Sequence, residues 1–273
     1  IEESDRRYVL LGGFLNALDA SVSDRLLEEA VIDSVLAAGY PILQCYVEIT
    51  KQAVVRLKRS LDFGTAPIWL YSRLGFGRVH ETIGDSDFSE LVRMIAIKPD
   101  GIDIAVDILV MRIHGQPTEE PLSNLISLLG QELVLLYNFS QKNSRASHND
   151  HCLATIIKKC FLDKMAAKKA KLVCNSIINA LRDHKIYSLE DYSNVLEAIA
   201  IRQPIPFLDV ILGEGDINHR LDWGIFNAGK IPLVAIKENI IIDWCEVNPE
   251  DRYFTIASAL HPYQPNTETT FLE

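Results

Sequence analysis

The sequence contains no run of about 18 uncharged apolar residues, so no stretch of it reads as a membrane-spanning helix. It has no CxxC pair. Its five cysteines (Cys45, Cys152, Cys160, Cys174 and Cys245) are odd in number and scattered, which is not a disulfide framework and fits a reducing cytoplasm. There is no GxxxxGK[ST] phosphate loop. The GFGR at positions 75–78 lacks the strand-to-helix setting of a nucleotide cradle and reads as a structural turn. The opening IEESDRRY has neither a signal-peptide core nor an initiator methionine, and the expectation is a piece of a longer, cytoplasmic protein. Positive charge is also short. A net charge of −10 disfavours a general nucleic-acid or anionic-membrane binder, because phosphate contacts need clustered Lys and Arg. Strand-like alternation is scarce throughout, which leaves an all-α chain.

What is present is a recurrence. FSELVRMIAIK at 88–98 returns as YSNVLEAIAIR at 192–202, with Ser, Ile, Ala and Ile identical. After a two-residue slip, Val106-Asp107-Ile108-Leu109 is answered by Leu208-Asp209-Val210-Ile211. A returning unit of this size is the mark of a helical repeat array, in which each helix pair buries its apolar face on the next. The expected architecture is an α-solenoid-like array of helix–turn–helix repeats. With 273 residues, 48% of them hydrophobic, the chain can bury a large core.

In chain order, Val9, Leu10, Phe14, Leu15 and Leu18 have helical spacing, weakened by Gly12-Gly13. Leu26, Leu27, Ala30, Val31 and Val35 continue it, and Gly39-Tyr40-Pro41 is expected to stop it. A third helix over 49–61 places Val54, Val55, Leu57 and Leu61 inside and Lys51, Arg56, Lys58 and Arg59 mostly outside. Asp87 with Glu90 is a capping box for the first copy, Lys98-Pro99-Asp100-Gly101 its turn and 102–113 its returning helix. Thr118, followed by Glu119 and Glu120, is a cap for a helix carrying Leu122, Leu125, Ile126, Leu129, Leu133 and Leu136. The polar run 140–150 reads as a mobile loop, dividing the repeats into 1–142 and 148–273 or lying within one continuous array. Residues 153–185 form the longest helical stretch, broken near Ala166-Ala167. Ser188 with Asp191 caps the second copy, Gln203-Pro204-Ile205-Pro206 is its turn, and Gly213 ends the helix that follows. Asn248-Pro249-Glu250-Asp251 starts a last helix running to about Leu260.

Candidate chemistry is sparse. His148, His151, Cys152 and Cys160 could interest a metal, but a helix from Leu153 puts Cys160 two turns past Cys152, so the expectation is no metal. Cys245 beside Trp244 has His261 as its nearest histidine and no surrounding motif, which favours a core thiol over a nucleophile. Glu214, Asp216, His219, Arg220 and Asp222 could serve acid–base work only if a cleft fixed their spacing, and otherwise are solvated loop groups. No catalytic residue and no cofactor are assigned. Two surfaces remain. Trp69, Tyr71, Arg73, Phe76 and Arg78 lie close together between two helices as an interface, or else the aromatics plug a gap between repeats. Lys158, Lys159, Lys164, Lys168, Lys169 and Lys171, with Arg182 and Lys185, form a basic face for nucleic acid or a phosphate ligand, or else a solvated surface. Only Phe161 and Tyr187 could stack bases there, which argues against single-stranded nucleic acid.

LDFGTAPIWLYSRLGFGRV, AIKPDGIDIAVDILVMRI and ENIIIDWCEVNPEDRYFTIASAL resemble the C-terminal helical-repeat regions of large bacterial multidomain proteins. Some of those carry signalling-type ATPase or nuclease modules and act in anti-phage defence. The resemblance implies a non-catalytic scaffold that meets a protein partner or other domains of the same chain, with chemistry lying elsewhere. The family's catalytic motifs are absent here, so no functional residue carries over. Nucleic acid as partner is disfavoured by charge, and no membrane partner is expected.

Overall fold

The computed structural model describes residues 3–77, 79–114, 121–140, 145–213 and 232–259, and every regular element among them is a helix. None of these helices is long and apolar enough to cross a membrane. The chain divides into two compact units, Ile1–Leu136 and Tyr137–Glu273.

The first unit holds α1 (Glu3–Ala17), α2 (Ala20–Ala30), the short α3 (Tyr40–Gln44) and α4 (Lys51–Phe63), then a 3₁₀ segment (Ile68–Gly75) and a 3₁₀ turn (Val79–Thr82). It continues with α5 (Asp85–Ala96), α6 (Gly101–His114) and α7 (Asn124–Leu136). Its centre is α3, which packs against α1, α2, α4 and the 3₁₀ segment.

The apolar stripe expected on α1 divides: Val9, Leu10 and Phe14 are exposed, Leu18 is half-buried, and Leu15 faces the core with Gly12. Gly12 is what turns the helix this way. A Cβ there would come within 2.1 Å of the Tyr46 ring, and one at Gly39 within 2.0 Å of the Tyr8 ring, so the tyrosines lie directly on glycine backbone. α2 stops at Ala30, before its expected end. Asp33 then folds a turn by accepting from the N–H groups of Val35 and Leu36, each at 2.8 Å. Gly39-Tyr40-Pro41 starts a helix instead of stopping one, because Pro41 sits in the first turn, where a missing N–H costs nothing.

In α4, Thr50 caps the start by accepting from the Ala53 N–H, and Gly64 ends it in the left-handed region at φ 65°. The inside–outside assignment on this helix holds at Val54, Leu57 and Leu61 and is exchanged at positions 55 and 56. Val55 is exposed, whereas Arg56 is only 1% exposed. Its guanidinium is buried because polar partners meet it: Asp24 at close range, the Tyr40 hydroxyl at 3.2 Å and the Gln44 Oε1 at 3.4 Å.

The first copy of the recurring stretch is a helix–turn–helix, α5 and α6. α5 begins at Asp85, two residues before the expected cap, so Asp87 lies inside its first turn and Glu90 reaches Lys58 of α4 at 2.5 Å instead of closing a capping box. The turn uses Asp100 at φ 58° and then Gly101, where a Cβ would sit 1.9 Å from the Ile95 carbonyl oxygen. In α7, Ile126, Leu129 and Leu133 are fully buried, whereas Leu125 and Leu136 are exposed. Thr118 and its acidic neighbours lie outside the described residues.

The second unit holds α8 (Ala146–Cys160), α9 (Ala166–Arg182), a 3₁₀ turn (Leu189–Tyr192), α10 (Ser193–Arg202), α11 (Pro204–Ile211), α12 (Glu238–Glu246) and α13 (Pro249–Ala259). Residues 146–150, expected as loop, are the start of α8, and Asn149 and Asp150 are buried there. Both make hydrogen bonds inside the unit. Asn149 donates to the Tyr137 hydroxyl at 2.9 Å, and Asp150 accepts from the N–H groups of Asn194 and Val195 at 3.2 and 2.9 Å. Asp150 is therefore a cap for α10 supplied from another helix. The break between α8 and α9 falls at 161–165, where the Asp163 carboxylate accepts from the Ala166 N–H at 2.7 Å.

The second copy is also a helix–turn–helix. Ser188 and Asp191 form the expected capping box. The expected four-residue turn contracts to Gln203, because Pro204 opens α11 at a position that tolerates it. α10 rests on α8 and α11 on α9. The Gln203 side-chain amide joins the two turns, donating to the carbonyls of Phe161 and Asp163 at 2.8 and 3.1 Å. Ile95 and Ile199 are both fully buried; Ala200 is buried, but Ala96 is only half-buried. The environments differ as well, since α5 packs against α4, α6 and α7. Asn248-Pro249 starts α13 as expected, with Asn248 donating to Asp251 at 2.9 Å; Leu260 lies outside the described residues.

Candidate docking site

The 3₁₀ segment Ile68–Gly75 turns two kinds of residue in opposite directions. Leu70, Tyr71 and Leu74 go into the core, while Trp69 is 57% exposed and Phe76, just past its end, 62%. Tyr71, expected on the surface with the other aromatics, is fully buried. Its hydroxyl donates to Ser60 Oγ of α4 at 2.9 Å, and burial pushes its pKa up to about 12. Arg73 is exposed, with its guanidinium 6.0 Å from the Phe76 ring centre. Arg78 lies outside the described residues. The structure thus brings Trp69, Arg73 and Phe76 to the surface and removes Tyr71 from the site.

The inner side of this segment is held by groups the sequence reading passed over. The Nδ1–H of buried His80 donates to the Leu74 carbonyl at 2.9 Å, and burial, with Arg112 close by, keeps the ring pKa below its usual value. Arg112 of α6 donates to the carbonyls of His80 (2.8 Å) and Ile83 (3.1 Å) and to the Asp85 carboxylate (2.9 Å), and covers the Phe88 ring at 5.3 Å. A faint signal existed: Arg112 is the single arginine in an otherwise mostly apolar helix. The outcome is an exposed Trp–Arg–Phe set on a backbone fixed from beneath.

The basic face divides. Lys158 and Lys159 are half-buried at the end of α8, and Lys158 pairs with Glu197 at 3.6 Å. Lys169 is half-buried, and Lys185 pairs with Asp183 at 3.2 Å. Lys164, Lys168 and Lys171 are exposed and make no ion pair among the described residues.

Burial pushes the thiols of Cys45, Cys160 and Cys174 up to about 12 and raises that of Cys245. Cys245 is fully buried behind Trp244, whose indole N–H donates to Asp209 at 2.9 Å and whose ring lies 4.3 Å beneath the Arg252 guanidinium. Of the four metal candidates, His148 and Cys152 meet at 3.4 Å one turn apart on α8, and neither His151 nor Cys160 joins them. Glu214, Asp216, His219, Arg220, Asp222 and His261 lie outside the described residues.

Comparison with protein-family models, with curated proteins and with solved structures finds no match to this chain.

Proposed function

We propose that this chain is a non-catalytic helical-repeat scaffold that binds a protein partner, the role its resemblance to repeat regions of bacterial defence proteins implies. The observation that carries the reading is the exposure of Trp69 and Phe76 beside Arg73, on a segment anchored through Leu70, Tyr71 and Leu74. Tryptophan and arginine dominate the energetics of protein interfaces, and a fixed backbone lowers the ordering cost of binding. The stacking of α10 on α8 and α11 on α9 supports a solenoid-like arrangement in the second unit, where successive helix pairs extend a surface.

A photo-crosslinking residue placed at position 76 tests the reading in cells that express the full open reading frame. The expected result is one discrete adduct, lost with Arg73→Glu and absent when the crosslinker replaces the exposed Val55 of α4. No adduct from a folded protein, or the same adducts from both positions, overturns it.

A further inference from the structure

The corner between α8 and α9 combines exposed apolar and cationic side chains. Leu162, Met165 and Leu172, three large apolar side chains within eleven residues, are 61%, 74% and 56% exposed. Met165, Lys168 and Leu172 follow helical spacing along one face, and Lys164, Lys168 and Lys171 recur at i, i+4 and i+7 beside it. These lysines repel one another, and Lys164 and Lys168 stand at the positive end of the α9 dipole, where the Asp163 carboxylate caps the helix. Lys164, Lys168 and Lys171 are exposed and make no ion pair among the described residues, which leaves their charge available to an outside anion.

We propose that this corner is a contact for an anionic lipid surface, with Leu162, Met165 and Leu172 entering the headgroup–acyl boundary and the lysines at headgroup level. Three observations choose this partner. The six basic residues from 158 to 171 are all lysine, whereas protein interfaces favour arginine and exclude lysine, and bidentate reading of phosphate or carboxylate also uses arginine. Nucleic acid has no use for exposed Leu and Met, and the one aromatic side chain beside them, Phe161, is fully buried. Leu162 and Met165 lie exposed in the connection between two helices, where their side chains can enter a deformable planar surface. The overall charge of −10 disfavours general attraction to an anionic surface, but this contact is local, and charges more than a Debye length away, about 8 Å at physiological salt, are largely screened. The proposal is independent of the Trp69–Phe76 docking site.

Flotation of the full chain with vesicles tests it, using phosphatidylcholine alone and phosphatidylcholine with about one-third phosphatidylglycerol at physiological and high salt. The chain is expected to float with the anionic vesicles only and less so in high salt. Replacing Lys164, Lys168 and Lys171 together by Gln should weaken partitioning on the order of a hundredfold. A separate Leu162→Gln, Met165→Gln variant should weaken it with the lysines intact, and unchanged thermal midpoints show that both variants are folded. Absence of flotation, equal flotation with neutral vesicles, or binding indifferent to the Leu162 and Met165 changes overturns the proposal. So does binding to duplex DNA, RNA or a poly-glutamate peptide without binding to anionic vesicles.

Discussion

Asp150 of α8 accepts the backbone N–H of Val195 of α10 at 2.9 Å, so one helix is capped by a carboxylate that belongs to another. Asp150→Ala should therefore act beyond its own helix. It leaves the Asn194 and Val195 N–H groups and the Asn194 amide without their acceptor, at a cost of about 2–4 kcal/mol. Asp150→Asn, which keeps one oxygen, should cost less. Urea unfolding of the two variants checks the order, and equal losses would contradict the capping role.

The same carboxyl makes a prediction about pH. Burial raises the Asp150 pKa more than its hydrogen bonds lower it. The folded chain thus holds this proton more tightly than the unfolded chain does. The stability it contributes is fully present below the ordinary aspartate pKa and is lost as pH rises through the raised one. Compared with Asp150→Asn, in which all other carboxylates are unchanged, the parent should gain stability as pH falls through that window. A parent that instead loses ground on acidification would place the folded pKa below the unfolded one.

Arg56 should be the most costly single charge in the first unit. Arg56→Met removes a guanidinium that is 1% exposed and donates to the Tyr40 hydroxyl and the Gln44 amide oxygen, which keep only their bond to each other at 2.6 Å. Asp24 and Glu28 reach solvent, which softens the loss, and about 3 kcal/mol is expected. Arg56→Lys should recover little, since one ammonium cannot reach the set that the planar fork reaches. Full recovery by lysine in a thermal melt would show that charge alone matters at this position.

Trp69 and Phe76 separate from Tyr71 by stability. If the exposed pair is held for binding, Trp69→Ala and Phe76→Ala should each stay within about 0.5 kcal/mol of the parent. Tyr71→Ala should cost about 3–5 kcal/mol and Tyr71→Phe about 1. A large loss at Trp69 would return it to the role of a plug between helices.

Adjacent glycines give opposite outcomes. Gly13→Ala meets nothing within 4 Å and should stabilise α1 by up to about 1 kcal/mol, the usual helix-propensity gain. Gly12→Ala has the same propensity gain but collides with the Tyr46 ring and should be destabilising by about 1–3 kcal/mol. Pairing Gly12→Ala with Tyr46→Leu should recover part of the loss, and failure of that rescue in a denaturation series would remove Tyr46 as the cause.

Periodicity made the helices and the recurring pair legible in the sequence, because Ile95 and Ile199 sit at the buried centre of matched stretches. It failed where one residue type stood in for another. Arg56 occupies a core position on α4, and only partners on α2 and α3 make that bearable, so no local pattern could reveal it. In the sequence Gly12 has the pattern of a weak point in a helix, whereas it is the contact, and Asn149 and Asp150 have the polarity of a loop because their acceptors and donors come from distant segments. At the candidate site, the aromatic cluster was visible, but the inward turn of Tyr71 depends on Ser60 across the core.

Gln203 has a mechanical consequence. Its amide grips two carbonyls in the turn between α8 and α9 while its own backbone lies between α10 and α11. Sliding one helix pair past the other by a residue would withdraw both acceptors from a single buried donor group. Under a pulling force applied to the ends of the second unit, the pairs should therefore give way together in one rupture event. Gln203→Ala should divide that event into two smaller steps, as a clasp that fails lets a hinge open leaf by leaf.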